Sequence, residues 1–377
     1  MSEALANEVR TAVGAVIDPE LRRTLADIGM IGEVAANDSS ASIQLKLTIA
    51  GCPAAVSIER DVRAAASAVP GITEVDVDVT VMTADERAEM LSRLRPEGAK
   101  HNPFTAESLT RVIAVTSGKG GVGKSSLTAN LACALTAQGF RVGILDADVH
   151  GYSIPALMGL APGGIPVRPT RLDDMILPPV GHDVKVISIG MFVEDQSTAV
   201  AWRGPMLQRT ISQFLTDVYF GDLDFLLLDV PPGTGDVAIT VGQLLPHSDV
   251  LIVTTPQPAA AGVAVRAGML ARQTGQRVVG IVENMSAMVT PDGTTIDLFG
   301  TGGAQAVADG LSVDSTTVPV LGQVPLSVGL RVGGDTGIPV VVSDPSDPSA
   351  VAISALARVL ATSGASRAGK SLGLSPR

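Results

Sequence analysis

The chain has 377 residues, enough for about two domains, with a formal net charge of −11 and a pI near 4.8. That acidity argues against a nonspecific nucleic-acid or anionic-membrane surface, because both need concentrated Lys and Arg. The mean hydropathy of +0.35 comes from Ala, Val, Leu and Ile, with aromatics at 3 %, and no apolar run approaches the ~18 residues of a spanning helix.

At the start, Met-Ser-Glu-Ala-Leu-Ala-Asn-Glu lacks the basic opening of a signal peptide. The two cysteines, Cys52 and Cys133, cannot build a disulfide framework. A cytoplasmic protein is expected. Periodicity predicts a helix over 3–16, strands over 31–35 and 41–47, a helix over 54–66, an alternating strand over 74–81 and a charged helix over 84–95. Residues 1–95 thus read as a small α+β domain. Residues 96–110, with Pro96, Gly98 and Pro103 and no periodicity, read as a linker.

The second domain, 111–362, opens on a short apolar strand over 111–115, followed by Ser117-Gly118-Lys119-Gly120-Gly121-Val122-Gly123-Lys124-Ser125-Ser126. Gly118, Gly123, Lys124 and Ser125 satisfy the phosphate-binding loop pattern. Glycines let backbone N–H groups wrap the phosphates, Lys124 reaches the β- and γ-oxygens, and the Ser125 hydroxyl ligates Mg²⁺. A helix follows, with Leu127, Leu131 and Leu135 on one face and Gly139 where it stops. A strand, an anion-binding turn and a helix N-terminus therefore come in sequence. Lys119 has no role in that pattern.

Further apolar runs over 142–145, 184–189, 225–228, 250–254, 278–282 and 318–321 alternate with helical stretches. They imply an α/β fold, a doubly wound, mostly parallel sheet whose ligands sit at the carboxyl ends of its strands. Asp146 and Asp148 end the run over 142–145, the second strand of this domain. Leu226-Leu227-Leu228-Asp229 has the form of an acid-terminated strand that holds Mg²⁺ through water. In Val230-Pro231-Pro232-Gly233, the glycine can bring its N–H close to a γ-phosphate; a rigid turn without that role is the alternative. Asn284, ending a later strand in Glu283-Asn284-Met285-Ser286, can pair with an adenine edge through its amide or simply form a turn. The tail, 363–377, is Gly/Ser-rich and expected to be disordered.

These segments, together with Trp202-Arg203-Gly204-Pro205-Met206 and Gly322-Gln323-Val324-Pro325-Leu326, resemble the Mrp/ApbC iron-sulfur cluster carriers, deviant P-loop ATPases related to MinD. Asp18-Pro19-Glu20-Leu21 and Thr48-Ile49-Ala50-Gly51-Cys52-Pro53 resemble the small domain of other iron-sulfur assembly factors. The resemblance implies a slow, homodimeric ATPase with ATP and Mg²⁺ as cofactors, and apoprotein clients or assembly factors as partners. It places Gly118, Lys119, Gly120, Gly121, Val122, Gly123, Lys124, Ser125, Ser126, Gly233, Asn284 and Pro325 at the nucleotide. Lys119 reaches the partner's phosphates, Asp146 supports Mg²⁺ beside Ser125 and Asp229, and Asp148 positions the attacking water. Lys119, Lys124 and Asp148 form the catalytic set. The discriminating Trp202 to Met206 segment has no role derivable from its residues.

One departure stands out. The family's Cys-x-x-Cys pair, which supplies thiolates to a bridging cluster, falls here on Thr290 and Gly293, and Asp292 between them is a hard oxygen ligand. Cys133, inside the helix after the loop, is expected in the core. Cys52, just before a predicted helix N-terminus, is expected to have a lowered pKa and is the remaining candidate for iron-sulfur binding or transfer; an unreactive turn cysteine is the alternative. His101, His150, His182 and His247 show no ligand spacing. A MinD-like regulatory ATPase and an ATP-gated scaffold that carries no cluster both remain open.

Overall fold

The computed structural model describes residues 2–94, 102–149, 151–193, 204–290, 294–312 and 317–363. Expectations for His101, His150, Trp202, Arg203, Asp292, Gly293, the first part of the linker and the tail beyond 363 fall outside these residues. The chain forms two compact units, and each is described by itself.

The first unit comprises Met1–Pro103 with Val167–Val180 and Ser212–Gly221. It contains α1 (Ser2–Gly14), β1 (Ile31–Asn37), β2 (Ser40–Leu47), α2 (Ala55–Ser67), β3 (Glu74–Val81) and α3 (Ala84–Leu94). β1 and β2 pair antiparallel, and α2 is the crossover that lets β3 pair parallel to β2. Alternation decides which face is buried. Ala41, Ile43, Leu45 and Leu47 of β2 point into a core with Val9, Val13, Ile58, Val62 and Met90. Leu172, Met175, Leu177 and Tyr219, from the two later segments, complete that core. β3 is an edge strand whose Glu74, Asp76 and Asp78 are exposed.

The second unit holds, in chain order, β4 (Arg111–Ser117), α4 (Lys124–Ala137), β5 (Val142–Asp146) and α5 (Ile154–Leu157). The short strands β6 (Thr170–Leu172) and β7 (Met175–Leu177) belong to the first unit, and β8 (Val180–Gly181) leads into β9 (Val184–Ser188). Then come α6 (Gly204–Asp217), whose residues from Ser212 on belong to the first unit, β10 (Phe225–Asp229), α7 (Asp236–Leu244), β11 (Asp249–Thr254), α8 (Pro258–Gln273) and β12 (Arg277–Val289). β13 (Thr295–Ile296), α9 (Gly303–Leu311), β14 (Val320–Leu326), α10 (Val328–Thr336), α11 (Val340–Ser343) and α12 (Pro348–Thr362) end the described chain.

The sheet runs β13-β12-β11-β4-β10-β5-β9-β8, with β14 also on β12. Its central strands β5, β10 and β11 are buried at every position, as expected for parallel strands covered on both faces. The observed fold is the α/β class expected from the sequence, with a small α+β unit before it. One difference matters. β12 is longer than the apolar run over 278–282 suggests, continuing beyond Asn284 to pair antiparallel with β13. Among the described residues, no helix is long and apolar enough to cross a membrane.

Candidate nucleotide site

Strand register builds the site. In the parallel ladder Asp229 of β10 lies level with Asp146 of β5, and Asp146 with Ser188 of β9. Two carboxylates and a hydroxyl therefore line up at the carboxyl ends of neighbouring strands, beside the loop leaving β4 at Ser117. Gly118 must lack a side chain because a Cβ there would lie 2.3 Å from the backbone nitrogen of Ala264 in α8. Gly123, at φ +78°, caps α4 in the left-handed region and passes so close to Asn284 that a Cβ would meet Nδ2 at 2.3 Å. Gly120, Gly121 and buried Val122 complete the turn, and Ser126 continues into α4, where its carbonyl accepts from Asn130.

The Lys124 ammonium is buried among acids. Its Nζ lies 2.7 Å from Asp229 Oδ2 and 3.8 Å from Asp148 Oδ2. Ser125 Oγ donates to Asp229 Oδ2 at 2.6 Å, and Thr128 Oγ1 donates to Asp229 Oδ1 at 3.0 Å. The Asp148 N–H donates to Asp146 Oδ1 at 3.1 Å, and Ser188 Oγ to Asp146 Oδ2 at 2.8 Å. Burial, reinforced by the charge of Asp229, pushes the Asp146 carboxyl well above its usual range, against the pull of Ser188, the Asp148 N–H and Lys124. Carboxylates crowded this way favour added positive charge. Ser125 Oγ with Asp229 and Asp146 is a hard oxygen set that fits Mg²⁺, which typically takes one or two carboxylates and the substrate's phosphates.

The other expected residues fall near the loop, with some surprises. Lys119 Nζ donates to Gln257 Oε1 at 2.9 Å, at the N-cap of α8. The Gly233 N–H donates to Ser117 O at 2.8 Å, so it faces the loop backbone in this state. Asn284, 3 % exposed, donates Nδ2 to Val122 O at 2.8 Å. Pro325 lies in β14 beside Val324, the register partner of Asn284. Reasoning from the sequence missed Thr128, Ser188 and Gln257. Thr128 sits one helical turn beyond Lys124 on the same face, and Ser188 ends an apolar run as Asp146 and Asp229 do; those positions were the available signals.

Cys52 belongs to the first unit, and there the expectation of a lowered pKa is corrected. The N–H groups of Ala54 and Ala55 do bond its sulfur, but burial outweighs them, and Glu20 and Asp18 add to it, so the thiol is pushed up to about 11. The residue is only 7 % exposed. Among the described residues, no group of three His, Cys, Asp or Glu side chains could hold a metal ion. Cys133 is buried within α4, its thiol raised to about 12 chiefly by burial. A group with a raised pKa gains its reactive thiolate only as pH climbs, so iodoacetamide alkylation of native Cys52, followed by peptide mass spectrometry, should rise about tenfold per pH unit from 8 to 10. A plateau near pH 7 would show a stabilised thiolate instead.

The ParA family model, described as NUBPL iron-transfer P-loop NTPase, matches residues 108–361, and a model described as iron-sulfur cluster assembly protein matches 6–79. The iron-sulfur cluster carrier protein of Mycobacterium tuberculosis is 51 % identical over 372 residues, 98 % of this chain and 96 % of that protein. The protein of the same name from Synechocystis sp. is 40 % identical over 355 residues, 94 % of this chain and 96 % of its own length. A solved nucleotide-binding protein from Archaeoglobus fulgidus, in complex with ADP, is 38 % identical with a TM-score of 0.51, covering 60 % of this chain and 86 % of that one. With a family model spanning the phosphate-binding loop and the acid-tipped strands, and relatives aligned almost end to end, this chain belongs to the iron-transfer P-loop NTPases, the family of the iron-sulfur cluster carriers.

Proposed function

We propose that the protein is a cytoplasmic, Mg²⁺-dependent ATPase that works as a homodimer in delivering iron-sulfur clusters to apoproteins, with residues 111–362 as the ATPase and 1–95 as the assembly domain. The observation that carries it is the buried Lys124 ammonium held at 2.7 Å by Asp229 at the end of the loop. Phosphoryl transfer needs little covalent help from a protein and much positioning and charge. In this reading Lys124 exchanges part of its carboxylate contact for the β- and γ-oxygens of ATP. Backbone N–H groups of Gly120 to Ser125 hold the phosphates, and Gly233 turns its N–H from Ser117 to the γ-phosphate. Ser125, Asp229 and Asp146 hold Mg²⁺, which supplies neutralising charge. Asp148 aligns water, whose oxygen bonds to the γ-phosphorus as the bond to the bridging oxygen breaks; the bonding pair leaves on ADP and the water's proton passes to the released phosphate. Pro325 borders the base, and Asn284 Oδ1 accepts from the adenine amine.

The second reading, an ATP-gated scaffold or MinD-like regulator that carries no cluster, is favoured by Thr290 and Gly293 at the position of the family's cysteine pair and by the raised Cys52 and Cys133 thiols. Anaerobic reconstitution with iron and sulfide separates the two. As a carrier, the wild type should develop visible cluster absorbance that Cys52→Ala removes while its ATP turnover is kept. Reconstituted protein that holds no iron would establish the scaffold reading.

A further inference from the structure

We propose that Asn284 is a positioning residue that joins the phosphate-binding loop to the β12–β13 hairpin, so that nucleotide in the loop sets the conformation of the hairpin; this rests on the nucleotide reading above. Four features along β12 carry it. Glu283, almost fully buried, is fixed at both carboxylate oxygens, accepting from the Ala304 N–H and from Gln323 Nε2, each at 2.8 Å. Next, Asn284 donates to Val122 O within the loop and packs under Gly123.

Met285 follows at φ +57°, a left-handed conformation that an unbranched, non-glycine side chain adopts at a cost. Finally, the ladder to β14 slips. Asn284 pairs with Val324 and Met288 with Leu326, so four steps on β12 match two on β14. The proline in that gap, Pro325, has no N–H to donate, which suits a strand facing a bulge.

Past the bulge, Met288 and Val289 pair with Ile296 and Thr295 to form the hairpin. A rigid anchor, a bond to the loop and a strained pivot thus come in three consecutive residues. Any displacement of the Val122 carbonyl as phosphates enter the loop is passed through the Asn284 amide to the strained Met285 peptide, because Glu283 cannot yield on the other side. Strained backbone next to a ligand site commonly stores a conformational choice.

Hydrogen exchange of the full-length protein, with and without Mg²⁺·ADP, tests this. In the wild type, ADP should slow exchange several-fold at the amides of 286–290 and 294–298. Asn284→Ala should bind ADP about tenfold more weakly, from loss of one buried hydrogen bond, and at saturating ADP should show no change in the hairpin. If that variant fails to melt cooperatively, Asn284→Asp has the same shape and no donor for Val122 O. Met285→Gly, which removes the backbone strain, should keep ADP affinity within about twofold while raising hairpin exchange in both states. Hairpin exchange indifferent to ADP in the wild type, or a full ADP response surviving in both Asn284 variants, would overturn the proposal. Absence of ADP binding to the wild type would overturn the nucleotide reading first, and the proposal with it.

Discussion

Lys124→Ala is expected to abolish ATP hydrolysis in a phosphate-release assay, with a loss of at least about 10²–10³-fold, the scale seen when one preorganised charge-stabilising donor is removed from a reacting site. The structure adds a second effect that sequence pattern alone would not reveal. Lys124 is 6 % exposed and Asp229 fully buried, so the substitution strips a cation from a carboxylate that cannot reach water. Breaking such a buried pair from one side costs about 3–5 kcal/mol. Protonation of Asp146, whose carboxyl is already pushed upward, offsets part of that. Calorimetry without nucleotide should therefore show a lowered melting temperature for Lys124→Ala, and Mg²⁺ should narrow the gap by restoring positive charge. Unchanged hydrolysis would sink the assignment of the loop.

Lys119→Ala should be as inactive alone, yet recover in company. If Lys119 acts on the partner's nucleotide, a dimer of one Lys119→Ala subunit and one Lys124→Ala subunit contains one complete site. That site has Lys124 from the first subunit and Lys119 from the second. Random pairing of equal amounts makes half the dimers mixed, each with one site of two, so turnover should return to about a quarter of wild type. A lysine that served its own subunit would give no recovery at any ratio. The bond from Lys119 Nζ to Gln257 Oε1 shows where the side chain rests within a single chain. A neutral amide partner holds it without the attraction of a carboxylate, which suits a group that has to be released.

Much of this was legible in the residues. The continuous apolar runs ending in Asp146 and Asp229 declared themselves because parallel strands are buried on both faces and their acids can lie only at the tips. Pattern failed where function is carried by ordinary hydroxyls. Thr128 and Ser188 look like unremarkable members of a helix and a strand, and their roles exist only because strand register and a helical turn aim them at Asp229 and Asp146. Asn284 was readable as a site residue, but not that its donor is spent on Val122 O, since that depends on a loop folded from residues about 160 positions away. For Cys52 the helix N-terminus argument found the right contacts and the wrong sign. Two N–H bonds to sulfur do not outweigh burial beside Asp18 and Glu20.

The edge strand of the first unit bears on a different matter, self-association. β3 reads Glu-Val-Asp-Val-Asp-Val-Thr-Val, with Val79 at 41 % and Val81 at 47 % exposure. Valine at every second position along an edge strand is the makeup of a strand that would pair with its own kind in a neighbouring molecule. The intervening Glu74, Asp76 and Asp78 oppose that outcome, because two such edges brought together would set acid against acid. Part of the chain's large negative charge thus guards an edge that, among the described residues, no other strand covers.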